Sequence, residues 1–179
     1  MRFRLEQFFS GPLDLVEPVF VDPDFLASLG RIPDLGHPVL VDQRVDGHLV
    51  HQRVRYAFIG DLSSAVTRVV DPRKLTWVEA STFDTRTHCT DFEIVPDHYG
   101  NRLSCRGQFR LEQMGGNTRR TAEGNLTVHI PFVGRRAEHA IVSGLADHAR
   151  WEADAVADWL RDCPTTPVED QRPFPAEQG

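Results

Sequence analysis

The segment that most constrains the fold of this chain is the long amphipathic stretch from Phe132 to Asp162, the one extended helix the sequence offers to a run of strands. At about 100° per residue, Val133, Ala137, Ile141, Leu145, Val156 and Trp159 fall on a single stripe. The opposite face carries Arg135, Arg136, His139, Asp147, Arg150, Asp154, Asp158 and Arg161. His148 and Glu152 lie one turn apart inside the apolar stripe. A helix that only plugs a core has little reason to place them there, whereas a helix that roofs a cavity does. At 1.5 Å per residue the stretch spans about 45 Å, enough to cross a whole sheet. Gly144 is open to two readings: a tolerated glycine costing about 1 kcal/mol relative to alanine, or a bend or close approach to the sheet.

Upstream of that helix the patterning is mostly strand. Phe3, Leu5, Gln7 and Phe9 alternate with Arg4 and Glu6, the period of a half-buried strand. Ser10-Gly11-Pro12 ends it and starts a short helix, and Asp22-Pro23 starts a second that Gly30 stops. Pro38–Val45 and His48–Ile59 flank a tight turn at Asp46-Gly47. Residues 63–70 read as a helical turn or an irregular crossing. Further strands are expected at Lys74–Ser81 and Thr87–Val95, with the turn at Phe83–Arg86. Arg102–Gln113 and Thr118–Ile130 follow, joined at Gly115-Gly116-Asn117. Gly107 and Gly124 fall inside strands, where glycine marks a bend or close packing. Pro131 admits the long helix and Cys163-Pro164 ends it.

The predicted order is strand, two short helices, six strands, one long helix. With one helix to cover one face, a seven-stranded antiparallel sheet must curl around it, an α+β helix-grip arrangement. Residues 1–163 are expected to form one domain, and the polar, proline-rich stretch 164–179 a disordered tail.

Composition narrows the function classes. A chain of 179 residues can build a core without disulfides or metal. Its net charge of −6 gives no electrostatic case for nucleic acid or an anionic membrane. Cys89, Cys105 and Cys163 form no CxxC pair; alternation points Cys89 outward and Cys105 inward, which argues against a bridge between them. Neither a signal peptide nor a membrane-length apolar run is apparent, so a cytoplasmic setting is the default expectation. His48 and His51 are an odd number of residues apart and diverge on a strand, which speaks against a metal site. The sequence carries no nucleophile elbow, phosphate loop or dinucleotide fingerprint, and no cofactor is implied. Oligomeric state is not legible.

Several segments together resemble an actinobacterial family of unassigned function, the domain of unknown function 2505, within the START-type helix-grip superfamily that includes the birch-pollen allergen. The resemblance runs from about residue 2 to 161. It is carried by Phe3-Arg4-Leu5, Arg55-Tyr56, Val70-Asp71-Pro72, Leu75-Thr76-Trp77-Val78-Glu79, Asp97-His98-Tyr99, Arg120-Thr121-Ala122-Glu123-Gly124, and Glu138 with Ile141. It implies a cavity for lipids, polyketides or other apolar molecules. Some members of the superfamily are cyclases or hydratases. It transfers no catalytic residue and no reaction.

Read from the residues, the candidate ligand-facing set combines apolar and polar side chains. Tyr56, Phe58, Phe92, Phe109, Leu126, Ile141 and Leu145 either line an apolar pocket or fill a core. Gln7, Gln52, Glu79, His88 and Arg120 fall on the parity assigned to the inner face, joined from the helix by His148 and Glu152. Buried polar groups need partners, so Glu79 with Arg120, or His148 with Glu152, are expected pairs; the alternative is that some anchor the polar end of a ligand. His148 and Glu152 are also the candidate general base and its orienting partner.

The leading expectation is a protein that binds a hydrophobic small molecule, lipid- or polyketide-like, with little or no catalysis. The rivals are a cyclase- or dehydratase-type enzyme using His148 and Glu152, and an interaction protein with a vestigial cavity.

Overall fold

The computed structural model describes residues 1–30, 34–61, 67–68, 70–100 and 102–162. The expected tail 164–179, the helix stop at Cys163-Pro164 and most of the 63–70 segment lie outside the described residues.

The alternating segments form seven strands: β1 Arg2–Phe9, β2 Val39–Asp46, β3 Leu49–Ala57, β4 Thr76–Asp84, β5 Cys89–Pro96, β6 Leu103–Met114 and β7 Asn117–Val128. They make one antiparallel sheet in the order β1-β7-β6-β5-β4-β3-β2. Strands β2 to β7 run as a meander, and β1 adds beside β7. The connection from β1 to β2 holds α1 (Leu13–Val16), a 3-10 segment (Glu17–Val21) and α2 (Pro23–Ser28). Pro12 opens α1. Asp22 caps α2, its carboxylate accepting from the Asp24 backbone N–H at 2.8 Å. The last element is α3, Gly134–Asp162, which packs on β1 and β7.

The register fixes one inner face. Gln7 stands opposite Arg120, Arg120 opposite Leu111, Phe92 opposite Gly107, Glu79 opposite Ile94, and Val54 opposite Glu79. Because directly paired residues point to the same side, these positions and those two residues away face α3.

The fourth and fifth strands depart from expectation. β4 continues through Phe83 to Asp84, and the turn occupies Thr85–His88. Phe83 is 4% exposed, a core residue and not a turn residue. The Asp84 carboxylate accepts from the Arg86 N–H at 2.9 Å, and its carbonyl accepts from the His88 N–H at 2.9 Å. This side-chain-stabilised turn displaces the reversal toward the C-terminus.

Glycines shape the curvature. Gly107 and Gly124 are direct partners across β6 and β7. A methyl group on Gly107 would press into the Glu123 carbonyl oxygen, and one on Gly124 would sit 2.6 Å from the Phe3 ring. Close backbone approach therefore requires both. Gly144 meets nothing within 4 Å, so no close approach to the sheet requires a glycine there.

Two apolar clusters fill the interior. One gathers Phe9, Val16, Val19, Phe25, Leu26, Leu29, Val54 and Val156 beneath the C-terminal half of α3. The other gathers Phe3, Phe92, Cys105, Leu126 and Val128 beneath its N-terminal half.

Candidate functional site

A layer of polar side chains lies between those two clusters. Gln7 follows Leu5 and precedes Phe9 on the inner side of β1, so strand alternation places it at the junction. Its Oε1 accepts from Arg120 Nε at 2.7 Å. Its Nε2 donates to the Ala149 carbonyl at 2.7 Å and to Glu152 Oε2 at 3.0 Å. Arg120 Nη2 donates to the same Glu152 oxygen, closing a three-residue ring.

The Arg120 guanidinium is also packed by aromatic rings. Its central carbon lies 4.3 Å from the Phe20 ring centroid, 4.9 Å from Phe109 and 5.6 Å from Phe9. Guanidinium charge over ring faces is favourable when water is excluded. Burial alone would push the Glu152 carboxyl up, but Arg120, His148 and Gln7 together hold it below the ordinary carboxylate value. Glu152 is therefore an anion with its charge already matched.

Glu79 is in a different state. It faces inward from the middle of β4, and none of the hydrogen bonds among the described residues involves its carboxyl. Burial pushes that carboxyl up to about 7, the Glu152 charge adding to the rise and Arg120 opposing it. The neighbouring Tyr56 phenol is likewise pushed up, by burial first and then by Glu79 and Glu152, so it stays protonated. Tyr56 stacks on Trp77 with ring centroids 5.9 Å apart at 19°.

The inner face of the central strands is not sealed. Trp77, Glu79, Ser81 and Ile94 all face α3, yet each keeps partial solvent contact. Glu79 thus lies on the inner face of the sheet while keeping partial contact with solvent. α3 rests on β1 and β7 and leaves the faces of β4 and β5 less covered.

His148 occupies the helix side of this interior and stacks on Trp151 at 6.1 Å. Its Nδ1 is buried and has no hydrogen-bond partner among the described residues. Burial lowers its pKa below the ordinary imidazole value, with Glu152 opposing and Arg120 adding to the fall.

Several expectations therefore change. The expected pairs, Glu79 with Arg120 and His148 with Glu152, are replaced by Glu152 with Arg120 and Gln7. His88 is not an inner-face strand residue. It sits in the β4–β5 turn at φ 57°, and its Nδ1 lies 2.6 Å from Glu17 Oε1. Phe58 lies past the end of β3, in an isolated bridge to Leu35 and with its N–H donating to the Leu75 carbonyl at 2.8 Å. Gln52, Phe92, Phe109, Leu126, Ile141 and Leu145 do lie on the interior side. Trp77 was missed, although parity with Glu79 marked it.

A separate groove of about 1200 Å³ opens on the outer face of the sheet, with Arg4, Arg53, Glu93, Arg106 and Glu123 among its walls. Charged and polar residues predominate along its walls and it faces away from α3, so it is not the apolar space expected under the helix. Among the described residues no group of three or more His, Cys, Asp or Glu is arranged to hold a metal, and no helix is long and apolar enough to cross a membrane.

A seven-stranded antiparallel sheet gripping one long C-terminal helix, with an interior that mixes aromatic and ionisable groups, defines a START- or pollen-allergen-like helix-grip protein. Within that class the chain belongs to the family described as Protein of unknown function (DUF2505), whose model matches residues 5–160. Solved structures with the same fold include TTHA0849 from Thermus thermophilus, with a TM-score of 0.63 and 15% identity over 89% of this chain and 99% of that one. The Zhui aromatase/cyclase from Streptomyces sp. R1128 is similar with a TM-score of 0.63 and 12% identity, covering 92% of this chain and 96% of its own. Norcoclaurine synthase from Thalictrum flavum aligns with a TM-score of 0.57 and 13% identity, covering 91% and 87%. At these identities the likeness establishes the fold. No curated protein matches by sequence.

Proposed function

We propose that this protein binds an apolar small molecule in the space between the inner face of its sheet and α3. The observation that carries this reading is the row Trp77, Glu79 and Ser81 with Ile94, side chains that face the helix yet keep contact with solvent. Tyr56, Phe92, Phe109, Leu126, Ile141 and Leu145 supply an apolar lining, and Gln52 adds a polar point on β3. Gln7, Arg120 and Glu152 form a rigid floor whose hydrogen bonds are met internally. Glu79 and His148 Nδ1 are left to meet the ligand's polar groups. An apolar pocket with a few convergent polar groups is the common form of a small-molecule site. That an aromatase/cyclase and a synthase share the fold is consistent with such a site.

Native mass spectrometry of the purified protein, with solvent extraction of what it carries, tests the reading. A retained apolar molecule, or saturable uptake of an added one, is the expected result. A protein that retains none and takes up none contradicts it.

A second reading has one specific observation in its favour: a carboxylic acid that titrates near neutrality shares the interior with an imidazole held neutral. Such a pair suits acid–base work of cyclase or dehydratase type. The carboxyl in that role is Glu79, since Glu152 is committed to Arg120. Turnover of a poly-β-keto probe that is lost in both Glu79→Gln and His148→Ala, with the fold intact, supports it. Turnover that survives either change removes that residue from the mechanism.

A further inference from the structure

Among the described residues, the polar layer between the two apolar clusters carries the Glu152 and Glu79 carboxyls and the Arg120 guanidinium. Glu152 and Arg120 neutralise each other in direct contact, and Gln7 bonds both. Glu79 has no cation of its own, and its carboxyl makes none of the hydrogen bonds among the described residues. It lies on the inner face of β4 two residues from Trp77, whose ring stacks on Tyr56 from β3 at 5.9 Å. One carboxyl and two aromatic faces thus share a wall that water reaches.

Among the described residues the positive charge that bears on Glu79 is Arg120, and that guanidinium is already bonded to Glu152. The other groups that bear on Glu79 are Glu152 from α3, Tyr56 from β3 and Cys105 from β6, while His148 on α3 interacts with Glu152 and Arg120. Tyr56 and Cys105 are held in their neutral forms by burial. Burial likewise disfavours the charged form of His148, and the Arg120 charge is spent on Glu152. A ligand carboxylate entering here would meet two carboxyls and a guanidinium already in use. An ammonium group would meet a carboxyl without a hydrogen-bond partner beside the stacked Tyr56 and Trp77 rings, a combination suited to an organic cation.

Building on the small-molecule reading above, we propose that the cleft selects apolar ligands that carry a protonated amine, held by the Glu79 carboxylate against Tyr56 and Trp77. The amine replaces the proton that Glu79 otherwise holds. Binding therefore strengthens as the pH rises through neutrality, until the ligand amine itself deprotonates.

Calorimetric titration with phenylhexylamine, phenylhexanol and phenylhexanoate at pH 8 and pH 5.5 tests this on the intact protein. At pH 8 the amine is expected to bind at least about tenfold more tightly than either analogue, and to lose most of that preference at pH 5.5. In Glu79→Gln, a nearly isosteric change, amine and alcohol become equivalent while alcohol binding persists. Equal affinities for the three probes at pH 8, or a preference for the carboxylate, overturns the amine assignment and leaves the small-molecule reading standing. Failure of all three to bind a protein that also carries no apolar molecule overturns both. Because the pH comparison uses the unmodified chain, the outcome does not hang on the folding of the variant.

Discussion

Arg120 of β7 and Glu152 of α3 are counter-charges across the boundary between sheet and helix, and Gln7 of β1 is hydrogen-bonded to both. The arrangement ties three elements distant in sequence to one point between the two apolar clusters. Removing one partner leaves a buried charge without compensation, so Arg120→Leu should destabilise the fold by about 3–5 kcal/mol. The double change Arg120→Leu with Glu152→Leu should recover a large part of that loss, because no orphaned charge remains. Urea denaturation of the two single variants and the double variant measures the coupling. Additive losses would show that the pair does not act as a unit.

Glu79 weakens the fold at high pH. Its carboxyl titrates at about 7 in the folded protein, against an ordinary carboxylate value of 4.5 when unfolded. Between those values the folded state binds more protons than the unfolded one, so this group's contribution to stability falls as pH rises and levels off above about 7. Glu79→Gln removes the ionisation. The variant should match wild type near pH 4 and exceed it at pH 8 by an amount on the order of 3 kcal/mol at most. Thermal melts of both proteins across that range check the sign.

The strand order and the long helix were legible because their signals are periodic. Alternation in Phe3, Leu5, Gln7 and Phe9 requires only that one face be buried, and the stripe on α3 only that one side be. Parity also placed Gln7, Glu79 and Arg120 on the inner face. It did not show which of them pair, since pairing depends on the angle at which α3 crosses β1 and β7. Spacing along the helix made His148 and Glu152 plausible partners. Crossing geometry gave Glu152 to Arg120. His88 was misplaced for a local reason: the Asp84 side chain stabilises a turn that ends where the strand was expected to have begun.

Gly107 marks where sequence and curvature meet most sharply. A methyl group there would press against the Glu123 carbonyl and the Gly124 Cα, both backbone atoms of the neighbouring strand, with the Phe92 ring on a third side. Backbone cannot rotate away as a side chain can. Gly107→Ala should therefore cost about 1–3 kcal/mol through strand displacement. Gly144→Ala, in open space on α3, should stabilise by about 1 kcal/mol. Comparing the two denaturation midpoints separates close approach from plain helix propensity, and losses of equal size would contradict the distinction.

His148 gives the interior a second titration of opposite sign. Burial holds its imidazole neutral below the ordinary value, Glu152 opposing and Arg120 assisting. As pH falls through about 6.5 the unfolded chain takes up a proton that the folded chain resists, so this contribution to stability is lost on acidification. Nuclear magnetic resonance of the ring proton should show a midpoint below that value. His148→Phe removes both the titration and the unpartnered Nδ1, whose burial costs about 1–3 kcal/mol. The variant should gain on wild type as pH drops from 7 to 5. If Nδ1 instead serves a bound ligand, the same variant will hold extracted or added ligand more weakly while melting no lower in the ligand-free form. A variant that melts lower at every pH and binds as before would assign His148 to packing against Trp151 alone.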